Sequence, residues 1–447
     1  MKNKLIAFNT TRYILLGFMI VILIGSILLS LPISSANGIP VPYVDALFTA
    51  TTATCVTGLV TLPTVSTWSS FGQAVILVLI QIGGLGVITV LAGFMIFLNK
   101  RFGLKDYLLI QDTFNLNTME GLKAFVRKVI NGTFIIEIIG ALLYMLVFIP
   151  EFGIRGIWIS VFNSISAFCN AGIDIISENS LIQYVHNPLI NLVTCALIII
   201  GGLGFIVWWD FVRIIKEKKS VKSLTLHSKI VLITTFVLII VGTVGVMIGE
   251  YNNPLTMKEF SFVEKLEASL FQSVTLRTAG FATIPQQNLT NATSLISLFL
   301  MFIGGSPAGT AGGVKTVTIA VLFVTMISMV KNKNEISLFN RKLSHNDTRK
   351  AIAVIFMSLI ILVISTFLLA LVTEAPFIDI AFETVSATAT VGLSRNLTPF
   401  LNVWGKVIII ATMYFGRVGP ISLALALNTK KKKTNIIKHP VEEITIG

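Results

Sequence analysis

The amino-acid sequence predicts an all-α membrane protein in which four covalently linked copies of one helix–loop–helix unit surround a pseudo-fourfold axis. The first indication is composition: 54% of the 447 residues are hydrophobic and only 12% are charged, whereas soluble proteins average about 25% charged residues. The second is a repeat. Four short strings, each ending in glycine, recur with gaps of 114, 108 and 112 residues: TCVTG at Gly58, FCNAG at Gly172, LRTAG at Gly280 and TATVG at Gly392.

A period near 110 residues is longer than the repeat units of soluble solenoids and fits a membrane module. We expect a single membrane domain over residues 1–447, with a cytoplasmic tail at 429–447. The repeats are predicted at approximately 12–98, 125–212, 229–330 and 350–428.

Eight apolar stretches are long enough to cross a bilayer, whose hydrocarbon core of ~30 Å needs about 20 helical residues. They are Tyr13–Leu31, Val75–Leu98, Ile130–Ile149, Leu189–Val212, Ile230–Ile248, Leu295–Val330, Ala351–Val372 and Val407–Leu427. Each repeat contains two of these stretches, so eight transmembrane spans are predicted.

The basic residues predict the orientation of the spans. Of the 34 lysines and arginines, 26 lie in residues 1–12, 99–128, 213–229, 331–350 and 430–447, which are alternate loops and the two termini. The positive-inside rule places these segments in the cytoplasm, as expected for a multi-pass protein of the cell (plasma) membrane with both termini inside. Short basic runs such as Lys430–Lys433 suit contact with anionic membrane lipid, and a nucleic-acid partner is not expected.

Between the two spans of each repeat lies a segment of nine to eleven residues that is too short to cross the membrane. The four segments have apolar residues at helical spacing: Val44–Thr52, Ile159–Phe168, Lys265–Thr275 and Ile380–Thr388. We interpret them as four re-entrant half-helices that enter from the outer side. Their C-terminal ends would direct partial negative charge at the glycine string that follows. Four amphipathic caps on the outer surface are the alternative, which the fixed register of the repeat disfavours.

The glycine strings are predicted to meet at the axis. Glycine adopts backbone angles that other residues avoid, and it leaves room for four chains. A ring of backbone carbonyls can replace the water shell of an ion, so the units become helix–pore loop–helix repeats around a pseudo-fourfold pore. The candidate filter residues, three per string, are Val56, Thr57, Gly58, Asn170, Ala171, Gly172, Thr278, Ala279, Gly280, Thr390, Val391 and Gly392. Eleven acidic and only six basic residues in the outer loops favour a cation.

A second cluster of small residues follows each glycine string, with its first glycine 24 to 29 residues after the glycine of the string: Ile82–Gly86, Ile200–Gly204, Ile303–Pro307 and Phe415–Pro420. Close helix packing explains the first two. The third lies within a stretch too long for one straight span, and its sequence GGSPAGTAGGVKT cannot remain helical, so it predicts an intramembrane loop that lines a watery cavity. The candidate gate residues of this loop and its surroundings are Gly304, Gly305, Gly309, Gly312, Gly313, Lys315 and Arg417.

Two further charged residues fall near the predicted pore. Glu137, in the middle of the third apolar stretch, is either a site that couples transport to a second ion or a group paired within the bundle. Arg277 is interpreted as an anchor behind the third string, because a cation facing the pore would repel permeant ions.

No catalytic, metal-cluster or nucleotide site is predicted. The three cysteines form no C-x-x-C pair, and the four histidines are scattered. The segment GTAGGVKT at 309–316 resembles a phosphate-binding loop, but Val314 stands where that motif requires glycine. An enzyme is therefore not expected.

Together, the four glycines, the RTAGF string Arg277–Phe281, the segment Gly304–Thr316 and Arg417 resemble the Trk/Ktr/HKT superfamily of potassium transporters, in particular its bacterial KtrB/TrkH-type ion-translocating subunits. The resemblance covers almost the whole chain. It implies one potassium filter per subunit, a homodimer, and a cytoplasmic nucleotide-binding regulatory ring of the KtrA/TrkA type. Glycine rather than serine in the first string implies potassium as the permeant ion, with sodium as the other candidate.

The function expected is gated, channel-like potassium uptake across the cell membrane. A sodium- or proton-coupled potassium symporter, with Glu137 or an acid of the outer mouth as the coupling site, is the alternative.

Overall fold

The computed structural model describes residues 10–100, 102–114, 121–332, 335–339 and 341–419. Predictions that concern residues 420–447 lie outside the described residues: the end of the last apolar stretch, the basic run Lys430–Lys433 and the tail at 429–447.

Within the described ranges the chain is mostly helical. The helices are α1 Thr10–Leu29, α2 Tyr43–Thr54, α3 Thr64–Thr67, α4 Ser70–Leu85, α5 Val87–Phe97, α6 Leu104–Phe114, α7 Leu122–Phe152, α8 Arg155–Cys169, α9 Pro188–Leu203, α10 Phe205–Lys216, α11 Leu226–Glu250, α12 Phe262–Thr275, α13 Asn291–Phe302, α14 Thr316–Val330, α15 His345–Val372, α16 Phe377–Ala389 and α17 Val403–Val418. Two short strands, β1 Ser337–Leu338 and β2 Arg341–Lys342, pair antiparallel between α14 and α15.

Four of the described helices, α1, α7, α11 and α15, are long and apolar enough to cross a membrane. Two more spans are obtained if the bent pairs α4–α5 and α9–α10 each count as one. The stretch Leu295–Val330 is interrupted, as its sequence predicts, and leaves the shorter apolar helices α13 and α14. Two of the eight stretches predicted as single spans are therefore bent helix pairs, a feature that apolar length alone does not reveal.

Both bends fall at the last glycine of an IGGLG cluster. Gly86 and Gly204 have φ values of +84° and +89°, which L-residues rarely adopt and which interrupt the helical hydrogen-bond pattern. The helix axes turn by 97° and 94° at these points. Close packing does occur at the preceding glycines: a methyl group added to Gly84 would lie 2.5 Å from Sγ of Cys169. The clusters thus combine a packing site with a sharp turn.

The short helices α2, α8, α12 and α16 pack in a closed cycle. Each short helix contacts the long helix of its own unit, which comes just before it in the chain. Each also contacts a helix of the neighbouring unit, namely the one that follows that unit's glycine string. This second set of contacts joins α4 to α8, α9 to α12, α13 to α16 and α17 to α2. The last contact brings the end of the described chain back to its beginning.

Polar and apolar side chains are distributed as expected for a bundle in hydrocarbon. On α15, the side chains of Phe356, Val363 and Phe367 are 63–64% exposed. The short helices instead bury hydroxyl groups such as those of Thr51 and Ser164. Because lipid offers no hydrogen-bond partners, polar groups within the membrane must be satisfied inside the bundle.

Two shielded ion pairs lie at the N-terminal ends of short helices, and one of them joins units that are distant in sequence. Nζ of Lys406, near the start of α17, lies 2.5 Å from Oδ1 of Asp45 in the first turn of α2, and the two side chains are 16% and 10% exposed. Arg395 lies 2.6 Å from Oδ1 of Asp379 and donates to Oγ of Ser294 at 2.9 Å. These contacts hold the N-terminal ends of α2 and α16 against neighbouring units.

We expect Asp45→Asn to lower the melting temperature of the purified protein in detergent. The substitution leaves Lys406 without its counter-ion in a shielded site, and breaking a buried pair in this way costs about 3–5 kcal/mol. The double variant Asp45→Asn/Lys406→Met should melt at a higher temperature than the summed effects of the two single variants imply. Strictly additive shifts in melting temperature would contradict a stabilising pair.

Candidate functional site

The four glycine strings meet in a closed ring. A methyl group added to Gly58 would lie 2.5 Å from the carbonyl oxygen of Ala171, and one added to Gly172 would lie 2.5 Å from that of Ala279. A methyl group on Gly280 would likewise meet the carbonyl oxygen of Val391, and one on Gly392 would meet that of Thr57, which closes the ring. All four methyl groups would lie within 2.7 Å of the carbonyl oxygen that they face. Each glycine therefore faces the carbonyl of the residue that precedes the next glycine. A side chain at any of the four positions would strike backbone.

The backbone of the strings has one shape in all four copies. The residue two positions before each glycine has a positive φ: 55° for Val56, 60° for Asn170, 64° for Thr278 and 52° for Thr390. The four glycines also have positive φ, between 63° and 97°. Non-glycine residues seldom adopt this region, so its recurrence at equivalent positions indicates a conformation imposed by the surrounding packing. Asparagine at position 170 is a sequence signal for this shape, whereas valine and threonine at the equivalent positions give none.

A hydroxyl group in the last turns of each short helix supports the string that follows. Oγ1 of Thr52 accepts from the amide of Gly58, and Oγ of Ser386 accepts from that of Gly392, both at 3.0 Å. In the other two strings, Oγ of Ser166 and Oγ1 of Thr275 each donate at 2.6 Å to a carbonyl just beyond the glycine. A Ser or Thr lies five or six residues before each glycine in the sequence, and this spacing is the signal for the supporting role. The role itself was not predicted.

The third string is attached differently from the other three. The amides of Thr57, Ala171 and Val391 each donate to the carbonyl five residues earlier at 2.8 Å, whereas the amide of Ala279 donates to Thr275, four residues earlier, at 3.0 Å. The guanidinium of Arg277 is 4% exposed and donates at 3.3 Å to the carbonyl of Thr235 in α11. This contact ties the third string to the long helix behind it, which agrees with the anchoring role predicted for Arg277.

A cavity of about 250 Å³ opens on one side of the ring and is lined by all four glycines. Asp174 and Glu178, from the loop after the second string, also line it. Burial raises the pKa of Asp174 to about 6, against a hydrogen bond from the amide of Ile176 that lowers the pKa. The hydrogen bond favours the ionised carboxylate, which carries its negative charge beside the ring.

The segment between α13 and α14, residues 303–315, lies on the other side of the ring and is named the intramembrane loop below. It is compact, with hydrogen bonds from the amide of Gly304 to Val314 (2.9 Å) and from the amide of Thr316 to Gly305 (3.0 Å). A methyl group would come within 3.0 Å of a neighbouring atom at each predicted gate glycine: Gly304, Gly305, Gly309, Gly312 and Gly313.

The loop contacts residues that precede the ring glycines. Gly312 packs against the side chain of Thr390, and Gly313 packs against that of Ala389. A cavity of about 220 Å³ lies beside this contact and is lined by Gly312, Gly313 and the two predicted gate cations, Lys315 and Arg417.

Both cations bind backbone carbonyl groups. Nζ of Lys315 donates to the carbonyl of Ala311 at 2.7 Å. Arg417 donates through Nη1 to the carbonyl of Thr310 and through Nη2 to that of Gly83. The sequence placed Arg417 among the candidate gate residues but gave no sign of its contact with Gly83, in the first IGGLG cluster.

The loop is docked on the second IGGLG cluster. The amides of Ser306 and Thr310 donate to the carbonyls of Gly202 (2.9 Å) and Gly201 (3.2 Å), and Ala308 accepts from the amide of Phe205 at 2.8 Å. The bend at Gly204 exposes the backbone groups that make these bonds. The second IGGLG cluster therefore binds the loop through its backbone, in addition to providing a site of close packing.

Glu137 lies away from both cavities. Its carboxylate accepts from Nε2 of Gln81 at 3.0 and 3.3 Å, and the residue is 4% exposed. The hydroxyl of Ser164 in α8 donates to the backbone carbonyl of Glu137 at 2.6 Å. The structure thus places Glu137 where α4, α7 and α8 meet.

Comparisons with known proteins agree with this architecture. Residues 6–438 match the sequence model of the family described as TrkH, cation transport protein. The chain is 40% identical to the potassium/sodium uptake protein NtpJ of Enterococcus hirae, over 98% of this chain and 97% of that one. It is 39% identical to the Ktr system potassium uptake protein B of Bacillus subtilis, over 99% and 98% of the two chains.

Among solved structures, the potassium transporter TrkH from Vibrio parahaemolyticus matches with a TM-score of 0.74 and 16% identity, over 96% of this chain and 87% of that one. At this level of identity the likeness concerns the fold. The family match and the two relatives extend over nearly the full length of the chain. The chain therefore belongs to the TrkH family of membrane cation transport proteins.

Proposed function

We propose that this chain takes up potassium by conducting it through the ring of four glycine strings, along a path gated by the intramembrane loop. The observation that carries the proposal is the closed cycle in which each glycine faces the carbonyl of the residue before the next glycine. Twelve backbone carbonyls, three from each string, then replace the water shell of the ion. The architecture is four helix–pore loop–helix repeats and eight spans around a pseudo-fourfold pore.

Three features favour a cation over an anion. The short helices direct their C-terminal ends, which carry partial negative charge, toward the ring. Asp174 and Glu178 line the cavity on the open side of the ring, and negative charge in a narrow mouth concentrates cations. The relatives from E. hirae and B. subtilis are named as potassium/sodium and potassium uptake proteins, which favours potassium, with sodium as the second candidate ion.

The positive-inside rule sets the direction of the path. It places the mouth cavity with Asp174 on the outer side and the intramembrane loop toward the cytoplasm. In this orientation an entering ion passes the ring first and then meets Lys315 and Arg417 beside the inner cavity. Two cations held on loop carbonyls oppose the passage of a third, so the arrangement is that of a closed gate.

Partners follow from the resemblance and from the relatives' names. The name "Ktr system" of the B. subtilis relative denotes a transporter with more than one component. On this basis we propose a homodimer in the cell membrane, in contact with lipid and regulated by a cytoplasmic nucleotide-binding ring of the KtrA/TrkA type. Nucleotide would bind that ring and not this chain.

Coupled symport is the alternative, with Glu137 as its candidate site. The position of Glu137 between three helices, bonded to Gln81 and absent from the lining of both cavities, favours a packing role.

We expect Gly58→Ser to reduce the ratio of potassium to sodium flux through the purified protein in liposomes. The serine Cβ would meet the carbonyl of Ala171 at 2.5 Å and displace one quarter of the ring. Gly38→Ser is the matched control, because Gly38 also has positive φ (69°) but has no neighbouring atom within 4 Å of an added methyl group. An unchanged flux ratio in a folded Gly58→Ser protein would count against the filter.

Deletion of residues 307–311 should raise potassium flux, since it removes the loop carbonyl that Arg417 binds and opens the path below the ring. Flux is measured in liposomes under an imposed voltage, with size-exclusion chromatography to verify folding. A folded deletion variant with lower flux than the parent protein would contradict the gate assignment.

If Glu137 has a packing role, Glu137→Gln should leave the dependence of potassium flux on sodium and pH unchanged, because glutamine retains the shape and an oxygen acceptor for Gln81. If symport operates through this residue, the same variant should abolish that dependence while permeation persists. Potassium flux at varied pH and sodium concentration distinguishes these outcomes.

A further inference from the structure

Thr310, at the centre of the intramembrane loop, bonds four separate parts of the molecule. Its amide donates to the carbonyl of Gly201 in α9 at 3.2 Å. Its carbonyl accepts from Nη1 of Arg417 in α17. Its hydroxyl lies 3.1 Å from the carbonyl of Phe168 in α8 and 3.2 Å from Oδ1 of Asn170. The residue is fully buried, at 0% exposure.

Asn170 is the part of this network that belongs to the ring. It precedes Gly172 by two residues and has a left-handed backbone with φ of 60°, a conformation for which asparagine is well suited. Its Nδ2 is buried and has no hydrogen-bond partner in the described part of the chain. A rotated amide would let Nδ2 donate to the Thr310 hydroxyl while that hydroxyl donates to Phe168. With Oδ1 facing Thr310, the single hydroxyl proton bonds either Phe168 or Asn170, whereas the rotated amide satisfies both contacts.

The other three strings do not make this contact. Val56 has no polar side chain, and the hydroxyls of Thr278 and Thr390 are buried without a partner among the described residues. Thr390 touches Gly312 of the loop by packing alone. The second string is therefore the one that the described structure joins to the loop by a side-chain hydrogen bond.

We propose that Thr310 is a positioning residue that couples the intramembrane loop to the second glycine string, so that the contact that seats the loop also maintains the ion selectivity of the ring. The inference rests on the proposed function and deepens it. Any displacement of the loop that carries Thr310 away removes the bond to Asn170 together with those to Phe168, Gly201 and Arg417. Selectivity and gating are then linked through one hydroxyl group.

The contact with Arg417 connects α17 to the bond between Thr310 and Asn170. Because the guanidinium holds the Thr310 carbonyl and also the carbonyl of Gly83, movement of α17 acts on the loop and, through the Thr310 hydroxyl, on the second string. The first IGGLG cluster binds Arg417 and the second binds the intramembrane loop, so both clusters hold the groups on which α17 acts.

The test compares rubidium and sodium flux through the full-length protein in liposomes, for the parent and for Thr310→Val and Thr310→Ser. Valine has the shape of threonine without its hydroxyl, and one hydrogen bond contributes about 0.5–1.5 kcal/mol. We expect the rubidium-to-sodium flux ratio to fall by about two- to tenfold in Thr310→Val and to be retained in Thr310→Ser.

Ser306→Ala is the matched control in the same loop. The Ser306 hydroxyl is fully buried and is paired with that of Thr316 at 3.0 Å, and it has no bond to a glycine string. Its loss should change the flux ratio by less than about twofold, whatever its effect on total flux.

Asn170→Ala provides an independent test that leaves the loop intact, and so remains informative if Thr310→Val fails to fold. It should lower the flux ratio at least as much as Thr310→Val, because alanine suits a φ of 60° less well than asparagine. The double variant should show no loss beyond that of Asn170→Ala, because both changes remove the same bond. If Asn170→Ala keeps the parent ratio, or if Thr310→Val alters total flux alone, the coupling is overturned while the filter assignment stands. If the parent protein itself shows no preference for rubidium over sodium, the proposed function fails together with the coupling.

Discussion

The structure depends on the approach of four glycine backbones to one another's carbonyl groups. Each string occupies the space that a side chain on its neighbour would need, so the position of one string fixes that of the next around the ring. The hydroxyls of Thr52, Ser166, Thr275 and Ser386 attach the strings to the short helices. The short helices in turn pack against the long apolar helices and against helices of the neighbouring units, so the position of the ring also fixes the positions of those helices. A polar core is thereby completed inside a hydrocarbon-facing shell.

Sequence reasoning predicted the features that depend on composition and period. The four glycines, the short helices before them and the break after α13 follow from apolar length, spacing and the exclusion of helix by GGSPAGTAGG. The bends at Gly86 and Gly204 were missed, because glycine at an apolar position permits either close packing or a turn, and the neighbours that decide between them are distant in sequence. The left-handed residues Val56, Asn170, Thr278 and Thr390 were missed for a similar reason, since three side-chain types share a conformation that packing imposes.

The molecule combines one nearly symmetric layer with one asymmetric layer. In the ring all four units contribute the same backbone shape, with only the attachment of the third string differing by one residue. Below the ring, among the described residues, the third unit supplies a loop, the second unit supplies the carbonyls that bind it, and the fourth supplies Arg417. Unequal roles of this kind are available to covalently linked repeats, whereas four identical subunits would have to repeat every feature four times.

The ion pair between Asp45 and Lys406 has a consequence for the order of assembly in the cell. The two residues are 361 positions apart, so at about 5–20 residues per second the ribosome needs roughly 20–70 s to deliver the partner of Asp45 after Asp45 itself is made. During that interval α2 lacks the helix α17 that covers it in the finished protein. The fourth string, which ends at Gly392, also becomes available only after most of the chain has been synthesised. A chain that terminates before Lys406 retains its apolar helices but leaves the Asp45 carboxylate without its partner.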